Sequence, residues 1–201
     1  MSQSEVPSPV NFHLMQDALD WESTAMERPF RLDMFGMIAE CIESRGIGNA
    51  LELGSGPGFL ARYLCDRVAD ISLTLLDFSE PMQILARTRL KDCVQNIRFV
   101  RRDFKSPEWT QDLGTFDCVV TTQAVHELRH KSRAKALHRR VKEVLDPGGV
   151  YLVCDHFYGP DAMSDGNLYM TPDEQVSCLS EAGFRAEVLL RKGSLQLVFA
   201  S

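Results

Sequence analysis

The chain has 201 residues, of which 44% are hydrophobic and 25% are charged, and its formal net charge is −6. This length and apolar content predict one globular domain with a full core, and the acidic balance argues against nucleic acid as a partner because phosphate-tracking surfaces need clustered Lys and Arg. The sequence contains no run of about 20 apolar residues that could span a bilayer and no signal-like N-terminal run, so we expect a cytoplasmic protein without a membrane partner.

The six cysteines also favour a cytoplasmic location. Each stands in an apolar stretch and no two form C-x-x-C; they are Cys41, Cys65, Cys93, Cys118, Cys154 and Cys178. This pattern is typical of reduced, buried thiols in a cytosolic protein.

Residues 1–46 predict a polar tail and two helices. The opening "MSQSEVPSPV" is polar with two prolines, which predicts a frayed end. Apolar side chains then recur at helical spacing, as Phe12, Met15 and Leu19 on one face and as Met34, Phe35, Ile38 and Ile42 on another. Gly46 is expected to end the second helix.

From residue 47 the pattern alternates between strands and helices. Five apolar strands are predicted at "NALELG", "ISLTLLDF", "NIRFVRRDF", "FDCVVTTQ" and "VYLVCDHF", and a closing hairpin turns at Lys192-Gly193. Such repeats predict an α/β fold, an open and mostly parallel sheet with helices on both faces. Ligands of these sheets bind at the carboxyl ends of the strands, so we expect the chemistry just after residues 53, 77, 102, 122 and 155.

The first strand is followed by a glycine loop, "LELGSGPGF". Its glycines, Gly54, Gly56 and Gly58, are spaced G-x-G-x-G, whereas a dinucleotide loop is spaced G-x-G-x-x-G. Glu52 stands close to the loop, where a carboxylate would repel a pyrophosphate but would suit an ammonium or sulfonium group. This arrangement disfavours a nicotinamide oxidoreductase.

Two further acidic residues follow strands. Asp77 ends the second strand, where a carboxylate can accept both ribose hydroxyls, and Asp103 after the third strand can accept from an exocyclic amine. The implied ligand is an adenosine without phosphates that carries positive charge at its far end.

Over roughly residues 47–200 the chain resembles the class I S-adenosylmethionine-dependent methyltransferases. The resemblance rests on "LELGSGPG", "LDFSEPM", "RRDF", "FDCVVTTQAVHEL" and "LDPGGVYLV". It implies a Rossmann-like three-layer sandwich with a seven-stranded sheet whose last strand is antiparallel, preceded by N-terminal helices. It divides the chain into a tail with lid or packing helices, 1–46, and a methyltransferase domain, 47–201.

The resemblance also implies S-adenosylmethionine as cofactor, no metal, and a set of cofactor contacts. The loop against the methionine part is Glu52, Gly54, Ser55, Gly56 and Gly58; Asp77 holds the ribose; Phe78, Met82, Asp103 and Phe104 surround the adenine; and the backbone of Gln123 reaches the amino group.

The acceptor is constrained mainly by motifs that are missing. "TTQA" stands where enzymes that methylate exocyclic base amines carry D/N-P-P-Y/F, and we find no paired-glutamate loop of the kind used on protein arginine. We therefore expect a small-molecule acceptor, with the N-terminal helices around Trp21, Met26 and Phe30 as a lid. His126 and His156, which follow the fourth and fifth strands, are candidate bases or substrate contacts. The type of acceptor atom and the oligomeric state stay open.

Two alternatives compete with this interpretation. "HELRH" at 126–130 matches the H-E-x-x-H motif of zinc metallopeptidases, which needs both histidines on one face of a regular helix. The next helix is best begun near Ser132, which would leave the motif in a turn, although an earlier start would align His126 and His130. The second alternative is a catalytically silent subunit that binds S-adenosylmethionine.

Overall fold

The computed structural model describes residues 5–201, which form one seven-stranded sheet flanked by helices. The strands are β1 (Asn49–Leu53), β2 (Ser72–Asp77), β3 (Ile97–Arg101), β4 (Phe116–Thr122), β5 (Leu145–His156), β6 (Ala186–Lys192) and β7 (Leu195–Ala200). The helices of the described chain are α1 (Met15–Ala25), α2 (Arg31–Ser44), α3 (Phe59–Arg67), α4 (Glu80–Arg89), α5 (Ala134–Val141) and α6 (Pro172–Glu181).

The strand order is β3-β2-β1-β4-β5-β7-β6. Strands β1 to β5 pair in parallel, and β7 is antiparallel to both β5 and β6. The prediction of a mostly parallel sheet with an antiparallel last strand is confirmed. The predicted hairpin is formed by β6 and β7. The chain order reverses between β1 and β4, which is where ligands bind in sheets of this kind.

Apolar side chains alternate between the two faces of the central strands, as the two-residue period of a strand requires. In β4, Cys118 and Val120 face the cluster formed with α2 and α3, whereas Val119 faces the cluster formed with α5 and α6. Both faces of the sheet are therefore covered, which explains why the strands read as nearly continuous apolar runs.

The predicted inner face of the first helix is wrong. Met15 and Leu19 are 37% and 40% exposed, whereas Ala18 and Ala25 are fully buried. The helix packs against α4, and the small alanines allow the close approach. The predicted inner face of α2 is confirmed, because Met34, Phe35, Ile38 and Ile42 are all buried.

The tail prediction is also wrong over the part of it that is described. The backbone N–H of Val6 donates to the carbonyl of Arg129 at 2.9 Å, and the Arg129 guanidinium donates to the carbonyls of Val6 and Pro7 at 2.9 and 2.7 Å. A buried guanidinium needs acceptors for its fixed fork of donors, and this segment supplies them. Residues 1–4 of the predicted frayed end lie outside the described residues.

The cysteines depart from the prediction at two positions. All six are free thiols, but Cys93 and Cys178 are only half-buried because one follows the end of α4 and the other lies on the outer part of α6. Within residues 5–201, no helix combines the length and the apolar character that crossing a membrane would require.

Candidate active site

A pocket lies at the carboxyl ends of β1, β2 and β4, where the strand order reverses. Seven of the predicted cofactor residues line it: Gly54, Gly56, Asp77, Phe78, Met82, Phe104 and Gln123. Its volume is about 80 Å³. The N-terminal segment lines its other side with Phe12, Trp21 and Arg28.

The glycine loop needs its glycines for different reasons. Gly54 has φ +68°, and an added Cβ would meet the Cβ of Ala124 at 2.5 Å, so the loop can pass this close to the β4 turn only without a side chain. Gly58 does not line the pocket. It begins α3, and it packs against Ala86 and Leu90 of the α4 segment.

Asp77 is held at the end of β2 with both carboxylate oxygens directed by backbone donors. The N–H groups of Gly56 and Ser79 each donate to it at 2.8 Å. Burial raises its pKa to about 6, and these two hydrogen bonds oppose that rise. Because each carboxylate oxygen can accept more than one hydrogen bond, Asp77 can also receive hydroxyl donors from the pocket.

Glu52 and Ser55 are buried behind the loop and do not line the pocket. Glu52 Oε2 and Ser55 Oγ have no hydrogen-bond partner among the described residues. Burial, reinforced by the charge of Asp77, raises the pKa of Glu52 well above its usual value. Burial therefore disfavours the charged form that the sequence interpretation assigned to this carboxyl.

Asp103 lies beside the pocket rather than in it. It lines an adjoining cavity of about 340 Å³, which shares Phe12, Phe78, Phe104 and Glu127 with the pocket. Its Oδ1 accepts from the N–H of Lys105 at 2.9 Å, and the carboxylate keeps acceptor capacity for a further donor.

His126 lines the pocket and is fixed by Asp155 at the end of β5. Its Nδ1 lies 2.6 Å from Asp155 Oδ1, and its backbone N–H donates to Oδ2 at 2.9 Å. A carboxylate can only accept, so Nδ1 carries the proton and Nε2 carries the lone pair. Burial lowers the pKa of His126, but the Asp155 carboxylate more than offsets this and the net direction is upward.

His156, the second candidate base, is engaged in another network and does not line the pocket. Its Nε2 lies 3.2 Å from the amide nitrogen of Gln123, which can only donate, and its Nδ1 lies 2.8 Å from the hydroxyl of Ser194. Burial lowers its pKa to about 4. His156 is therefore a neutral acceptor that orients Gln123.

Asp155, which lies behind His126, and Phe12, which lines the pocket, were not assigned to the site from the sequence. Asp155 ends a predicted strand, at one of the positions where chemistry was expected, but nothing in the sequence pairs it with His126. Phe12 and Trp21 pack edge to face with their centroids 6.1 Å apart, and the carbonyl of Phe12 accepts from Ser79 Oγ at 2.6 Å. Trp21 was expected near the site as part of the lid, whereas the position of Phe12 follows from tertiary packing alone.

The H-E-L-R-H stretch does not form one regular helix. His126 lies in a 3-10 turn, Arg129 adopts a left-handed conformation with φ +62°, and His130 is extended. The next α-helix begins at Ala134, close to the predicted start near Ser132, and the motif lies in the turns before it. Ser132 does not cap it; instead the backbone N–H of Ser132 donates to the side chain of His130 at 3.2 Å.

Comparisons with known proteins agree with this architecture. A family model described as a methyltransferase domain matches residues 50–149, about half of the chain. No curated protein matches the chain in sequence.

Solved structures with the same fold include the DhpI–SAH complex, which is 22% identical with a TM-score of 0.71 over 96% of this chain and 98% of DhpI. The mitomycin 7-O-methyltransferase MmcR is 19% identical with a TM-score of 0.74 over 94% of this chain and 58% of that one. Human N-acetylserotonin methyltransferase in complex with SAM is 18% identical with a TM-score of 0.72 over 94% of this chain and 56% of that one. The chain thus spans less than two thirds of the length of the last two.

A sheet of this order, with a glycine loop after β1 and a buried carboxylate at the end of β2, defines a Rossmann-like domain of the nucleoside-binding type. With the matched methyltransferase domain, the chain belongs to the class I S-adenosylmethionine-dependent methyltransferases. The predicted fold, family, enzyme class and cofactor are confirmed. The contacts of single residues to the cofactor stay predictions.

Proposed function

We propose that the chain transfers a methyl group from S-adenosylmethionine to a hydroxyl oxygen of a small-molecule acceptor, with His126 as the general base. The observation that carries the proposal is the 2.6 Å contact between His126 Nδ1 and Asp155, beside a pocket that His126 itself lines. A hydroxyl is a weak nucleophile that usually needs a base, whereas a neutral amine or a thiolate does not.

The pocket residues fit the cofactor in its separate parts. Asp77 is aimed at the pocket with acceptor capacity for ribose hydroxyls, and Phe78, Met82 and Phe104 supply apolar surface for adenine. Gly54 leaves room that a Cβ would fill, and the unpartnered Oε2 of Glu52 lies behind the same loop. When bound, the cofactor would supply a methyl group on a sulfonium, and in-line displacement by the acceptor would release S-adenosylhomocysteine.

His126 is prepared to take the acceptor's proton at Nε2. Asp155 holds the Nδ1–H tautomer, which directs the lone pair of Nε2 away from Asp155. Once protonated, the imidazolium is stabilised by Asp155 and by Glu127, whose Oε1 lies 3.5 Å from Nε2. Because the pKa of His126 is raised, turnover should increase with pH through a value above the ordinary 6.5.

The N-terminal segment would act as the lid. The pocket volume of about 80 Å³ is well below the roughly 300 Å³ or more typical of small-molecule sites, so we expect Phe12 and Trp21 to move when the ligands enter. Closure afterwards would exclude water from the reacting atoms. If removing residues 1–30 leaves turnover of an identified acceptor unchanged, the lid proposal is wrong.

The function is tested by binding and turnover measured separately. Calorimetry should detect S-adenosylhomocysteine binding to the wild type, and a panel of hydroxylated small molecules should release S-adenosylhomocysteine from S-adenosylmethionine. His126→Asn should bind S-adenosylhomocysteine normally and lose about 10²–10⁴-fold in turnover. Binding without turnover on any acceptor would favour the silent subunit, and full turnover by His126→Asn would refute the base.

A further inference from the structure

Two arginines stand beside the pocket, close to Gln123. Arg28 lines the pocket, and its guanidinium carbon lies 5.0 Å from the centroid of the Trp21 ring. The guanidinium carbon of Arg31 lies 5.4 Å from the same centroid, and Arg31 also donates to the side-chain oxygen of Gln123. Two positive charges therefore share one indole ring at the wall of the pocket.

Within residues 5–201, neither guanidinium has a carboxylate within ion-pair distance. Arg31 is only 5% exposed, its acceptor on Gln123 is a neutral amide, and its Nε has no hydrogen-bond partner in the described chain. Burial and the charge of Arg28 lower the pKa of Arg31 to about 10, which leaves it positively charged at neutral pH. A buried cation without a counter-charge is costly, and a bound anion would relieve that cost.

The acidic groups nearby are already engaged. Asp155 is paired with His126, Glu127 lies 3.3 Å from Arg129, and Asp77 accepts two backbone donors. None of them neutralises the arginine pair. His156, between Gln123 and Ser194, is held as a neutral acceptor and adds no negative charge.

We propose that Arg28 and Arg31 form an oxyanion site that binds a carboxylate or phosphate group of the methyl acceptor. The planar fork of a guanidinium matches such groups in a bidentate manner, and the unpartnered Nε of Arg31 supplies one donor of that fork. The site would anchor the acceptor while its hydroxyl meets His126, which lines the same pocket as Arg28. The assignment of this anion to the methyl acceptor rests on the proposed function.

A carboxylate could also come from the amino-acid part of the cofactor. Binding of S-adenosylhomocysteine and of 5′-methylthioadenosine, which lacks the amino acid, separates these sources. If Arg28→Ala weakens S-adenosylhomocysteine binding tenfold and leaves 5′-methylthioadenosine unaffected, the arginines hold the cofactor and the acceptor assignment is overturned.

The anion site is tested by thermal stability with inorganic phosphate and with acetate, on the protein saturated with S-adenosylhomocysteine. Sodium chloride keeps the ionic strength constant. At least one of the two anions should raise Tm in a saturable manner, and Arg28→Ala should raise its half-saturating concentration at least tenfold. Arg45→Ala is the matched control, because Arg45 also stacks on an aromatic ring, that of Phe199 at 4.3 Å, but near the amino ends of the strands.

Arg31→Lys keeps the positive charge and loses the planar fork of donors, so it should weaken anion binding. The double variant Arg28→Ala/Arg31→Lys should weaken anion binding further. If buried Arg31 variants fail to fold, the half-buried Arg28→Ala and Arg28→Lys carry the test alone. Absence of a saturable effect of either anion in the wild type, or an equal loss in Arg45→Ala, would overturn the proposal. If S-adenosylhomocysteine does not bind at all, the proposed function fails. The same anion titration of Tm on the protein without S-adenosylhomocysteine still tests whether the two arginines bind an anion.

Discussion

The substitution Asp155→Asn probes the base most sharply, because it removes one charge and changes the shape of the side chain little. Asp155 accepts two hydrogen bonds from His126, at Nδ1 and at the backbone N–H, through its two oxygens. Asparagine has one acceptor oxygen, so one of these donors must lose its partner. A charge-assisted hydrogen bond contributes about 1.5–3 kcal/mol, and an orphaned buried donor costs about 1–3 kcal/mol.

The same substitution changes the acidity of His126 in a known direction. The Asp155 carboxylate holds the pKa of His126 up against the effect of burial, so its removal should lower that pKa. In a profile of kcat/KM against pH, the acidic limb should move to lower pH while the plateau falls, because the Nδ1–H tautomer is no longer enforced. NMR titration of the His126 ring should follow the same shift.

The control for this experiment is Asp161→Asn, an equal change of charge at an exposed position. It should leave both the profile and the plateau unchanged. An Asp155→Asn enzyme with wild-type plateau and an unmoved acidic limb would refute the role given to the Asp155–His126 pair.

Three further predictions concern the cofactor side and the stability of the core. Gly54→Ala should abolish S-adenosylhomocysteine binding in calorimetry and lower the free energy of unfolding by about 1–3 kcal/mol, because its Cβ meets Ala124 and its φ is +68°; Gly56→Ala, with no atom within 4 Å of its Cβ, should do less. Asp77→Ala should weaken the binding of S-adenosylhomocysteine by at least about 1–3 kcal/mol, and an unchanged affinity would contradict the contact between Asp77 and the ribose. Burial lowers the pKa of His138 to about 4, so its contribution to stability is present above about pH 6.5 and is lost as pH falls toward 4; urea unfolding of His138→Gln should depend less on pH across that window, and an identical slope would contradict the assignment.

The fold followed from local signals that the sequence carries in full. Apolar runs ended by glycine or aspartate predicted the parallel strands, because strands buried on both faces need continuous apolar residues. The G-x-G-x-G spacing predicted the loop whose backbone must pass close to the β4 turn. Asp77 was placed at the pocket because the carboxyl ends of parallel strands meet at one edge of a sheet, whereas Gln123 was assigned through the family resemblance.

The acceptor side could not be predicted in the same way. His126 and Asp155 are 29 positions apart and meet only because β4 and β5 pair in register. The first helix exposes Met15 and Leu19, since helical spacing defines an apolar face but not which face the fold covers. Arg28 and Arg31 look like ordinary surface charge in the sequence, and only their packing on Trp21 brings them to the pocket.

The most direct test of the central claim follows the methyl group itself. The wild type and His126→Asn are incubated with S-adenosylmethionine carrying a labelled methyl group and with hydroxylated acceptors that bear a carboxylate or phosphate. The product is examined by mass spectrometry. We predict a labelled methyl ether from the wild type and a product yield lower by about 10²–10⁴-fold from the variant. Label on nitrogen, sulfur or carbon, or equal yields from the two proteins, would contradict the account.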